Sequence, residues 1–250
     1  MVDVWSESGG ANHIKPLMAK IYRLVESQEQ IATLSLVNNV YEQGVLEDLL
    51  ESTKSPLPAN TCSLHYLLTT PFRYPPLKYG SRFGTTFDQG IFYGSLNIPT
   101  ALSETAYYRF VYILGPEIPY EHPISNQYSS FSVKVRSDNG IFLDQPPFSE
   151  YEAILTSPSS YTETQLLGLN MRESEIEIFQ YISARDKNKG KNIALFSPKA
   201  FQSKGPAQMT TWLCQTSIEE VGFMAKEGQQ RVSFFQRDFW VDNTFPSPAT

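Results

Sequence analysis

Cysteine and histidine are scarce in this chain of 250 residues, with only Cys62, Cys214, His13, His65 and His122. Neither Cys belongs to a CxxC pair and the His are scattered, so neither a disulfide scaffold nor a zinc site is expected. Basic residues are also few: 20 Lys and Arg face 26 Asp and Glu, giving a net charge of −6, and no Lys/Arg run occurs. A sequence pI of about 5.2 argues against direct nucleic-acid binding. Long apolar runs are absent. The opening MVDVWSESGG has no basic stretch leading into an apolar core. No transmembrane helix, signal peptide or membrane partner is expected, and the expected location is cytoplasmic. GxGxxG, GxxxxGK[ST] and GxSxG are missing as well, and Gly94-Ser95-Leu96 does not complete a nucleophile elbow. With no His partner for Ser or Cys, acyl transfer has little support.

What the chain does have is an ordinary globular composition, 41% apolar and 18% charged, in which 13% aromatics and 17 Pro favour short strands and turns. Its length suits one large domain, or a domain with a small extension. Ile14, Leu17, Ile21, Leu24, Val25 and Ile31 recur at helical spacing, and Val37, Val40, Tyr41, Leu46, Leu49 and Leu50 repeat the pattern. Two helices are expected there, ended by Pro56 and Pro58. Residues 1–58 thus read as an N-terminal helical extension, and 59–250 as the main domain. His65–Leu68 reads as a short strand, and TPFRYPPLKYGSRFG at 70–84 as a loop. Gly90–Gly94 reads as a strand. Thr100 to Ile113 reads as a helix capped by Thr100. Strands are expected at Phe131–Arg136, Ile176–Ile182 and Ile193–Phe196, with helical stretches near Tyr151–Leu155 and Thr162–Leu169. Thr210–Ala225 and Arg231–Val241 suggest a hairpin turning at Lys226-Glu227-Gly228, and the tail FPSPAT suggests a loose end. The class is α+β.

Four pieces could carry chemistry. Arg82 lies in Gly80-Ser81-Arg82-Phe83-Gly84, where close backbone approach lets a guanidinium meet a phosphate. Tyr93 sits at a Gly-flanked strand end and could offer its ring to a flat ligand; a core Tyr is the plainer reading. Glu104 shares a helix face with Ala101, Tyr107 and Tyr108. A carboxylate among small and aromatic residues faces inward only if it is paired or functional, and a place near the positive helix end favours its charge. A solvent-facing Glu, or a salt bridge to a structural Arg, fits equally well. Ser183, in Tyr181-Ile182-Ser183-Ala184-Arg185-Asp186, could donate to a phosphate or sugar oxygen, or simply hold a turn.

In this order the pieces resemble the RES family, named for its Arg, Glu and Ser. FRYPPLKYGSRFG, GIFYGS and TALSETAYYRF look like its core, and YISARDKNKGKNIALF like its later Ser block. The IYRLVESQEQIATLSLV segment looks like an extension of one subgroup. The resemblance spans most of residues 20–200. It implies an ADP-ribosyltransferase-like mixed or antiparallel β core with flanking helices. It also implies the toxin of a bacterial toxin–antitoxin pair that degrades NAD at the nicotinamide–ribose bond. NAD would be substrate, inorganic phosphate the co-substrate, and no prosthetic group is implied. The implied partner is an Xre-like helix-turn-helix antitoxin; a homodimer stays open. Position by position, the family's Arg falls on Arg82, its Tyr on Tyr93, its Glu on Glu104 and its Ser on Ser183, and Arg73 fits a further upstream Arg. Glu104, Arg82 and Tyr93 are then the catalytic set, and Arg82, Tyr93, Ser183, Arg73 and Ser95 the NAD-binding set. The chain departs from the pattern in the long stretch between Glu104 and Ser183, with a Pro-rich insertion at 116–123.

On this reading Glu104 stabilises the cationic sugar, Arg82 clamps the pyrophosphate, Tyr93 walls the nicotinamide and Ser183 bonds a phosphate or ribose oxygen. Two other classes remain. One is a protein ADP-ribosyltransferase using the same site. The other is a non-enzymatic binding module in which these residues are structural.

Overall fold

The computed structural model describes residues 1–27, 36–57, 61, 63–76, 78–226 and 230–247. The elements run α1 (Val4–Glu7), β1 (Lys15–Glu26), α2 (Val40–Thr53), α3 (Tyr66–Arg73), β2 (Phe92–Ser95), α4 (Ile98–Leu114), β3 (Ile124–Phe142), α5 (Glu152–Leu155), α6 (Thr162–Glu173), β4 (Ile178–Ile182), β5 (Lys191–Leu195), β6 (Ala207–Thr216), β7 (Glu220–Ala225) and β8 (Arg231–Phe235). The α+β class holds. The eight strands form one sheet, in the order β1-β2-β5-β4-β3-β6-β7-β8, and β1 also pairs with β3. That extra pairing closes β1, β2, β5, β4 and β3 into a ring. All pairings are antiparallel except β3 with β4. The closure is narrowest between β1 and β2, where Tyr22 faces Ser95.

The first expected helix is a strand. Leu17 and Ile21 are four residues apart, a spacing that a helix and a two-residue alternation both satisfy. Leu17 and Ile21 are buried while the intervening Met18 is 78% exposed, as a pleated strand requires. The β-branched and aromatic run Ile21-Tyr22…Val25 favours that choice. Residues 1–58 are therefore not a helical extension, because β1 is built into the sheet; Ile31 and Pro58 lie outside the described residues. The second expected helix is present as α2, with Asn39 accepting from the Glu42 amide at its start.

His65–Leu68 is also not a strand. The His65 side chain accepts from the Leu67 N–H and starts α3, which continues through Pro71 and takes over the beginning of the expected 70–84 loop. Helix α4 begins earlier than expected, on Asn97 rather than Thr100, and Asn97 accepts from the Thr100 amide. The 131–136 strand is part of the much longer β3, whose serines hid it. Ser130 accepts from the Trp212 indole and Ser132 donates to the Ala207 carbonyl, so these polar side chains are satisfied inside the sheet.

The expected final hairpin is a three-strand meander, β6–β7–β8, with residues 227–229 of its last turn outside the described residues. Nor is the tail loose up to Pro246. Phe245 stacks on Tyr107 at 5.3 Å and the Tyr107 hydroxyl donates to the Pro246 carbonyl at 2.8 Å. Three buried clusters carry the fold: one under α1 and α6, one inside the ring, and one between α4 and the meander. Each fully buried Leu, Ile or Phe contributes roughly 1.5–3 kcal/mol. No helix among the described residues is long and apolar enough to cross a membrane.

Candidate active site

A cleft of about 630 Å³ opens where β1, β2 and β5 meet the first half of α4. Its walls include Arg23, Arg82, Tyr93, Glu104, Tyr108, Tyr161, Tyr181, Arg185 and Asn192. Three guanidinium groups and one carboxylate thus share a cavity of small-molecule size.

Glu104 stands in the second turn of α4, half-buried, with Ala101 and Tyr108 beside it on the cleft wall. Tyr107 turns the other way, into the cluster with Phe239 and Phe245. Glu104 lies beyond the first turn, where the helix end acts most strongly, so side-chain donors stabilise its charge instead. Ser183 Oγ donates to Glu104 Oε1 at 2.6 Å and Asn192 Nδ2 donates to the same oxygen at 2.7 Å. Among the described residues Oε2 has no hydrogen-bond partner. The turn carrying Ser183 is clasped to α4 by Ser103 Oγ donating to the Arg185 carbonyl and Thr100 Oγ1 donating to Asp186.

Arg82 is buried, and its loop has a built geometry. Gly80 has φ 74°, and a Cβ there would meet the Gly84 carbonyl at 2.5 Å. Gln165 of α6 donates to the carbonyls of Tyr79, Ser81 and Gly84, which fixes the turn. Gly168, one helical turn on, lets α6 lie against the Phe83 carbonyl, where a Cβ would come within 2.0 Å. Arg82 Nη1 donates to the Leu155 and Ser157 carbonyls, and the guanidinium stacks over the Tyr161 ring at 4.8 Å. Part of this group is thus spent on the protein, while the residue still lines the cleft.

Tyr93 lines the cleft and ties it to that loop. Its hydroxyl donates to Ser81 Oγ at 3.0 Å and accepts from the Phe83 amide. Burial pushes this phenol up to about 12, so it stays protonated at any ordinary pH.

Two expected site residues sit elsewhere, and a third acts at one remove. Arg73 does not line the cleft: it donates to the Ser55 carbonyl and to Glu51 Oε1, joining α3 to α2. Ser183 is buried behind Glu104. Its hydroxyl hydrogen goes to the carboxylate and its oxygen accepts from the Arg185 and Asp186 amides, leaving nothing for a phosphate or ribose. Ser95 touches the cleft, but its hydroxyl donates to Asn192 Oδ1 at 2.7 Å.

A family model described as RES domain matches residues 58–216. The chain belongs to the RES domain family. No curated protein matches it. Among solved structures it is similar to a chain in the crystal structure of the M. tuberculosis MbcT–MbcA toxin–antitoxin complex. The TM-score is 0.50 at 10% identity, covering 83% of this chain and 91% of that one. At that identity the likeness concerns the fold alone.

The cleft of this RES chain extends beyond the matched residues. Tyr22 and Arg23 belong to β1, before residue 58, and complete the wall beside Ser95. Arg23 donates from Nη1 to the Tyr93 carbonyl at 2.9 Å and stacks on the Phe92 ring at 4.8 Å, and its Nε is buried without a partner. That burial lowers its pKa to about 10, still charged at neutral pH. Arg185 stacks over the Tyr107 ring at 3.5 Å and donates to the Pro158 carbonyl and the Tyr161 hydroxyl. Sequence reasoning missed Arg23, Asn192 and Arg185 as site residues. A wrong helix assignment removed Arg23 from view. The other two carry no local signature, although both lie within the quoted Ser block.

Proposed function

We propose that this RES protein is the toxin of a toxin–antitoxin pair and cleaves NAD at the nicotinamide–ribose bond. The observation that carries the reading is Glu104: a carboxylate locked by two donors on Oε1, with Oε2 free, in a cleft that also holds Arg23, Arg82 and Arg185. A dinucleotide with a pyrophosphate and two flat rings is complementary to three guanidinium groups and several tyrosines. Similarity in fold to a chain of a toxin–antitoxin complex supports the same reading, and the resemblance to the RES family suggests an Xre-like antitoxin as the partner.

The chemistry follows from the fixed charge. As the bond from ribose C1′ to the nicotinamide nitrogen breaks, its electron pair leaves with nicotinamide, and positive charge builds on the sugar. Glu104 Oε2 stabilises that charge, and nicotinamide leaves as a neutral ring without an acid. Arg82 holds the pyrophosphate so that C1′ stays against Glu104. Tyr93 walls the nicotinamide pocket. Ser183 donates to the carboxylate rather than to the substrate. Inorganic phosphate then bonds to C1′, giving ADP-ribose 1″-phosphate; with water the products are ADP-ribose and a proton.

The test is to incubate purified protein with NAD labelled in the ADP-ribose half, with and without phosphate, and to resolve the products. The expected result is loss of NAD, free nicotinamide, and a phosphorylated ADP-ribose that depends on phosphate. Label appearing on protein would instead establish ADP-ribosyl transfer. Unchanged NAD would overturn the proposal.

A further inference from the structure

The catalytic assignment leaves open what aims the carboxylate, and one buried side chain has no other evident task. Asn192 is 2% exposed, sits on β5 and is the direct register partner of Ser95 on β2. Its amide bridges Ser95 and Glu104, accepting from Ser95 Oγ at 2.7 Å and donating to Glu104 Oε1 at 2.7 Å.

We infer that Asn192 is a positioning residue that fixes the direction of the Glu104 carboxylate, with Ser95 fixing Asn192. A carboxylate only accepts, so the atom that meets it must be the amide nitrogen. The Ser95 hydroxyl donates to the opposite amide oxygen and thereby disfavours a flipped amide. Ser183 supplies a second donor to the same oxygen. Both donors therefore hold Oε1, and among the described residues Oε2 has no hydrogen-bond partner.

Other charged and titratable groups line the same cleft, and they set what the test must separate. Tyr108 comes from α4 itself, Tyr181 from β4, Tyr161 from the segment before α6, Arg185 from the turn after β4, Arg82 from its loop and Arg23 from β1. Asn192→Asp alters only the group at the amide position, and Ser95→Ala perturbs the amide without adding a charge.

This inference rests on the proposed role of Glu104 in NAD cleavage, so its test has one readout that needs no activity. Asn192→Asp places a second carboxylate against Oε1, and two adjoining carboxylates cannot both ionise freely. In the folded variant the Glu104 carboxyl, followed by carbon-13 NMR and assigned with Glu104→Gln, should titrate about one unit higher or more than in the wild type. In the pH profile of NAD loss the acidic limb should move up by a similar amount. At neutral pH kcat should fall roughly tenfold, with KM for NAD little changed. Ser95→Ala, which removes only the anchor of the amide, should shift both readouts in the same direction by less. If Asn192→Asp does not fold, Ser95→Ala carries the test. An unshifted Glu104 titration in a folded variant overturns the inference whether or not the protein cleaves NAD. A wild type that leaves NAD intact while the titration shifts as expected would overturn the proposed activity and leave the positioning role standing.

Discussion

The two sides of the cleft are built differently. Glu104, Ser95 and Asn192 stand on α4, β2 and β5, and only Ser183 comes from a turn, itself clasped to α4. Arg82 and Tyr161 come from loops that Gln165 and main-chain carbonyls hold in place. The carboxylate side is thus pre-aimed by regular structure, and Arg82 is aimed by the packing of loops on α6. In the proposed reaction this division has a use. Charge stabilisation needs a fixed group, while a clamp on a flexible pyrophosphate tolerates a looser frame.

The sharpest way to break the comparison is Glu104→Gln. The side chain keeps its size and loses its charge, so the protein should stay folded while NAD loss falls by about 10²–10³. A product-resolved rate assay, with melting temperature as the control, checks this. On the loop side, Arg82→Ala should weaken NAD binding and lower the rate by about tenfold or more each. It should also cost stability, because the Leu155 and Ser157 carbonyls lose their donor. Calorimetric NAD affinity at the wild-type level would remove Arg82 from the clamp. Ser183→Ala removes one of the two donors to Glu104, a charge-assisted bond of roughly 1.5–3 kcal/mol in such settings. It should lower kcat about tenfold and leave KM nearly unchanged; a KM effect alone would mean that Ser183 meets the substrate. The smallest effect is expected from Arg73→Ala. Its partners are Glu51 and Ser55, outside the cleft, so kcat/KM should stay within about twofold while α2 loosens. A large loss of activity there would mean that the α2–α3 junction reaches the site.

The same contrast explains what the sequence made legible. Arg82, Tyr93 and Glu104 were legible because Gly neighbours and a shared helix face mark them locally and the RES resemblance joins them, and the structure brings all three to one cleft. Ser183 was visible as a residue but not in its role, since nothing in a turn sequence tells whether a hydroxyl meets a ligand or another side chain. Asn192 could not be found, because its meaning lies in the register of β5 against β2. The strand β1 was misread because Leu17, Ile21 and Val25 fit both periods, and only their partners in β3 decide between them. Arg23 was lost with it. The serine-rich half of β3 was missed for a related reason: its polar residues are satisfied across strands by Trp212 and Ala207, contacts far away in the chain.

The most direct measurement is the release of free nicotinamide from NAD by the purified wild type and by Glu104→Gln, side by side at equal folded concentration. The expected result is steady release by the wild type and a rate lower by about 10²–10³ in the variant, with NAD affinity largely retained. Equal rates in the two proteins, or no release by the folded wild type, would contradict Glu104 as the charge that breaks the bond.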